Sequence, residues 1–190
     1  MLIILKQILK LGGVISIDCG AHAGLVTDIL LQCGSKVALF EPNEYLHSIL
    51  EIKYKNNPNV LLNKVAVSNK NGTTKFLRNS TLSQGNRIDN AGDNEEIYDE
   101  YCEVKVVDLV EYVQNEILPF YKRIYFLKID VEGAEFDIMD KIIETKLYEK
   151  IDYIACETHE RYFNDGEAKI AKLRNAIKDN NIKNIFLDWI

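Results

Sequence analysis

The stretch Val14-Ile15-Ser16-Ile17-Asp18-Cys19-Gly20-Ala21-His22-Ala23-Gly24 decides how the rest of the chain is read. Val14, Ile15 and Ile17 form a short β-branched run of the kind found in buried strands, and Asp18 stands at its carboxyl end. Gly20 and Gly24 bracket a turn that opens into helical spacing from Leu25 onward. So tight a turn calls for residues without a Cβ. Glycine lets backbone amides approach a ligand, and the amino end of the following helix offers free N–H groups to an anion. A little over twenty residues on, a second apolar run, Lys36 to Phe40, ends at Glu41-Pro42. An acidic residue in that place can accept hydrogen bonds from both hydroxyls of a ribose.

The glycines separate two nucleoside cofactors. A pyrophosphate loop is spelled Gly-x-Gly-x-x-Gly, whereas here Asp18-x-Gly20-x-x-x-Gly24 lacks the middle glycine. The carboxylate opening the loop also repels phosphate, yet it suits a ligand carrying an ammonium or sulfonium group. The spacing therefore favours S-adenosylmethionine over NAD. Further on, Ala66, Val67 and Ser68 close a third strand, expected over Val60 to Val67, where backbone and apolar contact could hold an adenine ring.

Composition narrows the field. At 190 residues the chain is expected to be one domain that buries roughly 70% of its unfolded surface. A net charge of -6 with scattered basic residues argues against a nucleic-acid partner. Cys19, Cys33, Cys102 and Cys156 show no Cys-x-x-Cys spacing and read as free thiols in a reducing, cytoplasmic setting. Met1 to Leu11 is too short to span a bilayer and lacks a small-residue cleavage site. Leu2 to Leu11 is expected to pack on the domain as a short helix or strand.

Strand and helix patterns then alternate. Leu25, Ile29, Leu30 and Cys33 keep helical spacing until Gly34, and Asn43 caps a helix carrying Leu46, Ile49, Leu50 and Tyr54, with His47 read as a surface residue. Asn71-Gly72 predicts a hairpin turn into a strand over Thr73 to Leu77. Residues 78–101 are polar and aperiodic, the character of a mobile substrate loop or of disorder. Strands are expected over Glu103–Val107, Ile124–Ile129, Tyr153–Cys156 and Ile185–Ile190, with helices after Asp108, after Glu135 and around Ile170, Leu173 and Ile177. This alternation is that of an α/β, doubly wound, mostly parallel sheet flanked by helices, which binds ligands beyond the carboxyl ends of its strands. Asp18, Glu41, Asp130, Glu132, Glu157 and His159 all fall at or just after such ends, so they should converge on one rim.

Four motifs carry a resemblance. Asp18-Cys-Gly20-Ala-His-Ala-Gly24, Phe40-Glu41-Pro42-Asn43, Lys128-Ile-Asp130-Val-Glu132-Gly-Ala-Glu135 and Glu157-Thr-His159 resemble, in order and spacing, the FkbM family of S-adenosylmethionine-dependent methyltransferases. The resemblance implies a class I methyltransferase (Rossmann-like) fold and methyl transfer to a hydroxyl oxygen of a glycan, sugar or similar small molecule. It implies that Gly20, Ala21 and Gly24 cradle the methionine moiety, that Glu41 beside Pro42 holds the ribose, and that Asp130 lies beside methionine and acceptor. His22 departs from the asparagine more usual there, leaving room for its imidazole to touch cofactor or substrate. A seventh, antiparallel strand is expected of such a fold, and the chain stops at Ile190 before one.

Methyl transfer is an in-line displacement in which positioning comes first and base catalysis second. His159, with a pKa expected near neutrality, or Asp130 is the candidate base. Glu132, Glu157, Arg78 and Ser83 are candidate substrate-binding residues, and Arg78 or Arg87 could grip an anionic group. The carboxylates with His159 could instead bind a divalent cation that lowers the acceptor's pKa. Two other readings stand beside methyl transfer: a catalytically silent cofactor-binding subunit, and an NAD-dependent oxidoreductase.

Overall fold

The computed structural model describes residues 14–78, 86–89 and 100–187. Its main sheet holds six strands: β1 (Ile15–Cys19), β2 (Lys36–Phe40), β3 (Val60–Asn63), β8 (Ile124–Ile129), β9 (Ile151–Cys156) and β10 (Ile185–Phe186). They lie in the order β10-β9-β8-β1-β2-β3, every pair parallel. The chain leaves β1 in one direction and returns to its other side at β8, so the strand order reverses between these two. That reversal opens a crevice at the carboxyl ends of the strands.

Both faces of the sheet are covered, which is why its strands are apolar runs. Successive residues of β2 serve opposite faces: Ala38 and Phe40 enter the larger core, Val37 and Leu39 the smaller. The smaller core is closed by Leu30 of α1 (Leu25–Gln32) and Leu50 of α2 (Glu44–Lys53). The larger is closed by α3 (Leu109–Tyr112, running into a π-turn over Val113–Ile117), α4 (Glu135–Glu144) and α5 (Gly166–Asp179). Helix ends follow local chemistry. Asn43 Oδ1 accepts from the amides of Tyr45 and Leu46 at 3.0 and 3.2 Å. Gly34, at φ 83°, lets the amide of Ser35 reach back to Leu30 O at 3.1 Å after α1.

Register sets the strand ends level. Cys19 pairs with Phe40 on one side and Ile129 on the other, and Ile129 pairs with Cys156. The residues that follow, Gly20, Glu41, Asp130 and Glu157, therefore leave the sheet along one rim.

A second sheet, β4-β7-β5-β6, was not foreseen. It comprises β4 (Ala66–Ser68), β5 (Gly72–Arg78), β6 (Arg87–Ile88) and β7 (Glu100–Asp108). The single strand expected over Val60–Val67 is thus two strands in two sheets. Asn63 ends the first, its side-chain amide turned onto Leu39 O and Leu61 O, and Val67 and Ala66 enter different apolar clusters beyond it. The Asn71-Gly72 hairpin does not form either, because β7 lies between β4 and β5. Asn71 is spent elsewhere: its Oδ1 accepts the Asp108 amide at 2.9 Å and its Nδ2 donates to Glu111 at 2.7 Å. His47, expected at the surface, is buried on α2 near Glu51.

Within the polar stretch 78–101, Arg87–Ile88 is a strand, while 79–85 and 90–99 lie outside the described residues, Ser83 among them, as do the side chain of Arg78 and the segment Leu2 to Leu11. Among the described residues the main sheet has no antiparallel strand: β10 pairs directly and in parallel with β9, and Thr73–Leu77 belongs to the second sheet. The four cysteines are unpaired, Cys19 and Cys156 buried. No described helix is long and apolar enough to cross a membrane.

Candidate functional site

A cavity of about 510 Å³ opens at the rim, within the range of small-molecule sites. Its floor is the β1 turn. Gly20 holds φ 76°, and a Cβ there would sit 1.8 Å from the Asp130 carbonyl oxygen, so the turn and the end of β8 touch through a gap only glycine allows. Ala21 and His22 line the cavity beyond it. Gly24 does not; at φ 80° its missing Cβ makes space for the Tyr54 hydroxyl, which donates to Gly24 O at 2.9 Å. Asp18 is also absent from the lining. It is fully buried beneath the turn, where Oδ2 accepts from Thr27 Oγ1 at 2.6 Å.

Glu41 faces the cavity with Pro42. Its Oε2 accepts the His22 amide and its Oε1 the Asn43 amide, both at 2.8 Å. This bridge ties the end of β2 to the β1 turn and leaves each oxygen further lone pairs for a ligand. Burial pushes the Glu41 carboxyl up to about 7, against the two amides and Lys128, which favour the ionised form, and with Asp18 adding to the rise. Ala66 and Val67 line the cavity as expected, joined by Phe76 and Ile88 of the second sheet.

Asp130, Glu132 and Glu157 bring carboxylates to the same cavity. Lys128, buried in β8, balances them: its Nζ donates to Gly20 O at 2.6 Å and pairs with Asp130 Oδ2 at 3.0 Å, with Asp18 Oδ1 at 3.6 Å. Its pKa is raised, desolvation being outweighed by Asp18 and Asp130. Sequence reasoning gave Lys128 no role. The signal was a charge inside the apolar run Ile-Tyr-Phe-Leu-Lys-Ile, which a buried strand carries only if paired.

His159 is placed differently from expectation. It is 1% exposed, lies outside the cavity lining, and its Nδ1 meets Glu135 Oε1 at 2.7 Å. Its Nε2 faces Glu132, Glu157 and Asp130. Desolvation lowers its pKa, but Glu132 and Glu135 overcome that and lift it to about 10. The near-neutral base read from sequence is therefore corrected. The His159 ring stands outside the cavity lining with carboxylates against both nitrogens. Glu132 itself holds φ 59°, a turn closed by Glu135, whose oxygens accept the amides of Val131 and Gly133 at 3.0 and 2.7 Å. Tyr162 donates to Glu132 Oε2 at 2.7 Å, and its ring stacks on His159. Arg87, buried on β6, lays its guanidinium over the same Tyr162 ring, 4.1 Å from its centre.

A family model described as the Methyltransferase FkbM domain matches residues 18–183. The chain belongs to the FkbM methyltransferase family. No curated protein matches it. Among solved structures, the FkbM domain resembles a methyltransferase FkbM from Methylobacillus flagellatus KT, with TM-score 0.53 and 12% identity, over 88% of this chain and 37% of that one. At that identity the likeness speaks to the fold, and the chain spans little more than a third of that protein. The matched range takes in every site residue from Asp18 to His159, so the rim described above lies inside the FkbM domain.

Proposed function

We propose that this FkbM domain catalyses methyl transfer from S-adenosylmethionine to a hydroxyl oxygen of a sugar, a glycan precursor or a similar small molecule. The observation that carries the reading is Glu41: a carboxylate at the end of β2, fixed by two backbone amides and open to the cavity beside the Gly20 turn. Its remaining lone pairs suit the two hydroxyls of a ribose. The carboxylates of Asp130, Glu132 and Glu157 suit a positively charged group nearby. When bound, S-adenosylmethionine supplies an electrophilic methyl group on a sulfonium sulfur.

The chain's own task is mostly to position. Gly20, Ala21 and His22 would hold the methionine part, Glu41 and Pro42 the ribose, and Ala66 and Val67 the base. The acceptor's oxygen must be held in line with the methyl carbon and sulfur, which supplies most of the acceleration. On methylation of the acceptor oxygen, the hydroxyl proton would pass to a rim carboxylate. Asp130 and Glu157 are the candidates, their side chains 24% and 27% exposed in the cavity wall.

The test is calorimetry with S-adenosylmethionine, its demethylated product and NAD in parallel, followed by a methyl-transfer screen against sugar and glycan precursors. Binding of the first two with NAD silent is expected. Heat with NAD alone, or with none of the three, overturns the reading.

A further inference from the structure

Among the buried side-chain atoms that make no hydrogen bond is Nε2 of His159, behind the rim. The other ring nitrogen explains its state. Glu135 is fully buried, and both its oxygens already accept backbone amides. A carboxylate so used is an acceptor, which makes Nδ1, 2.7 Å away, the nitrogen that carries hydrogen. Nε2 then carries the second proton while the ring is charged, and offers a lone pair once that proton is displaced. It points at Glu132 Oε2 at 3.2 Å, Glu157 Oε1 at 3.6 Å and Asp130 Oδ1 at 3.9 Å. Facing three carboxylates, that nitrogen calls for a cation among them: the proton, or a metal ion that displaces it. An imidazole whose second nitrogen donates to a carboxylate is also the arrangement that aims a histidine at a metal.

We propose that Asp130, Glu132 and His159 hold a divalent cation, of the class represented by Mn²⁺. Their ligand atoms all lie within 4.8 Å of one another. Two donors each about 2.1 Å from one ion stand about 3 Å apart at right angles and about 4.2 Å apart when opposed, so the observed separations need only small side-chain adjustments. The neighbours prepare the ligands. Lys128 takes Oδ2 of Asp130, leaving Oδ1 towards the histidine. Tyr162 orients both other ligands, donating to Glu132 Oε2 at 2.7 Å and stacking on the His159 ring with 6° between the planes. Arg161 also approaches Glu132 Oε2, at 3.5 Å from an exposed position, but a carboxylate offers about four lone pairs and keeps room to ligate. One imidazole with two carboxylates suits Mn²⁺, which accepts both ligand types.

Binding stands on this geometry alone. The ion's role rests on the methyl-transfer reading: lying beside the acceptor hydroxyl, it lowers that hydroxyl's pKa as a Lewis acid, and with Asp130 engaged as a ligand Glu157 becomes the proton acceptor.

The experiment uses the full chain and Mn²⁺, with neither donor nor acceptor present, so failure of the methyl-transfer reading would not disturb it. Free Mn²⁺ is followed by its paramagnetic resonance signal. One ion per chain is expected, with affinity at least tenfold weaker in Asp130→Asn and in Glu132→Gln, both checked for unchanged circular dichroism. Substoichiometric Mn²⁺ should broaden the ring resonances of His159 well before those of His47. Absence of saturable binding up to millimolar Mn²⁺, equal affinity in both variants, or binding that leaves His159 sharp would each overturn the site.

Discussion

Glu41 couples the site to pH. Burial is the main reason its carboxyl rises to about 7, Lys128 and two amides opposing and Asp18 assisting. Because the folded value lies above the ordinary 4.5, its contribution to stability is fully present below about 4.5 and is lost as pH rises through about 7. The ligand-free protein should therefore gain resistance to urea between pH 8 and 5.5, and Glu41→Gln should remove that part of the slope. Ribose hydroxyls donate to the ionised form, so affinity for S-adenosylmethionine should move the other way, weakening about tenfold per pH unit once below about 7. Calorimetric Kd values between pH 5.5 and 8, read against Glu41→Gln, check the sign. Lys128 belongs to the same scale: Lys128→Met strands buried Asp18 beside Asp130 and should cost about 3–5 kcal/mol in urea unfolding. A Kd for the donor that held steady across the pH range would remove Glu41 from the ribose.

At the scale of elements, α2 begins where the site needs it because Asn43 both caps the helix and lends its amide to Glu41. Asn43→Ala keeps the amide and loses the cap. We expect a loss of about 1 kcal/mol, a fall in Tm of about 2–4 °C for a chain of this size, and donor binding retained. What could be read from sequence divides along the same line. The β1 turn, Glu41 and Asp130 were legible because strand ends in a parallel sheet share a rim, and the level register of Cys19, Phe40 and Ile129 obeys that rule. The second sheet was not, since β4 pairs with Val106–Asp108, some forty residues away, and no local pattern announces such a partner. Asn71-Gly72 has the composition of a hairpin turn, yet its asparagine serves the β7–α3 junction instead. His159 was placed on the right rim, but its burial and its hold on Glu135 depend on contacts between distant elements.

At the scale of the molecule, the cavity is walled by both sheets: Glu41 and Asp130 come from the parallel sheet, Phe76 and Ile88 from the other. The second sheet has the smaller apolar cluster, Ala66, Phe76, Val104 and Val106, so it should open more readily than β1, whose five residues are all buried. A ligand lying between them must then stabilise the weaker partner along with the stronger. At a donor concentration one hundred times Kd, linkage adds about 2.7 kcal/mol, which raises Tm by about 5–10 °C. Hydrogen exchange should show the gain in Phe76, Ile88 and Val104 amides as well as in β1 and β8, because opening either wall releases the ligand. Glu41→Ala, which removes hydrogen bonds to a charged group, should weaken binding about 10- to 100-fold and cut the linkage to about 0.4–1.4 kcal/mol at the same donor concentration, shrinking the thermal shift in proportion. Protection confined to the parallel sheet, or a shift undiminished in Glu41→Ala, would place the ligand elsewhere than between the two sheets.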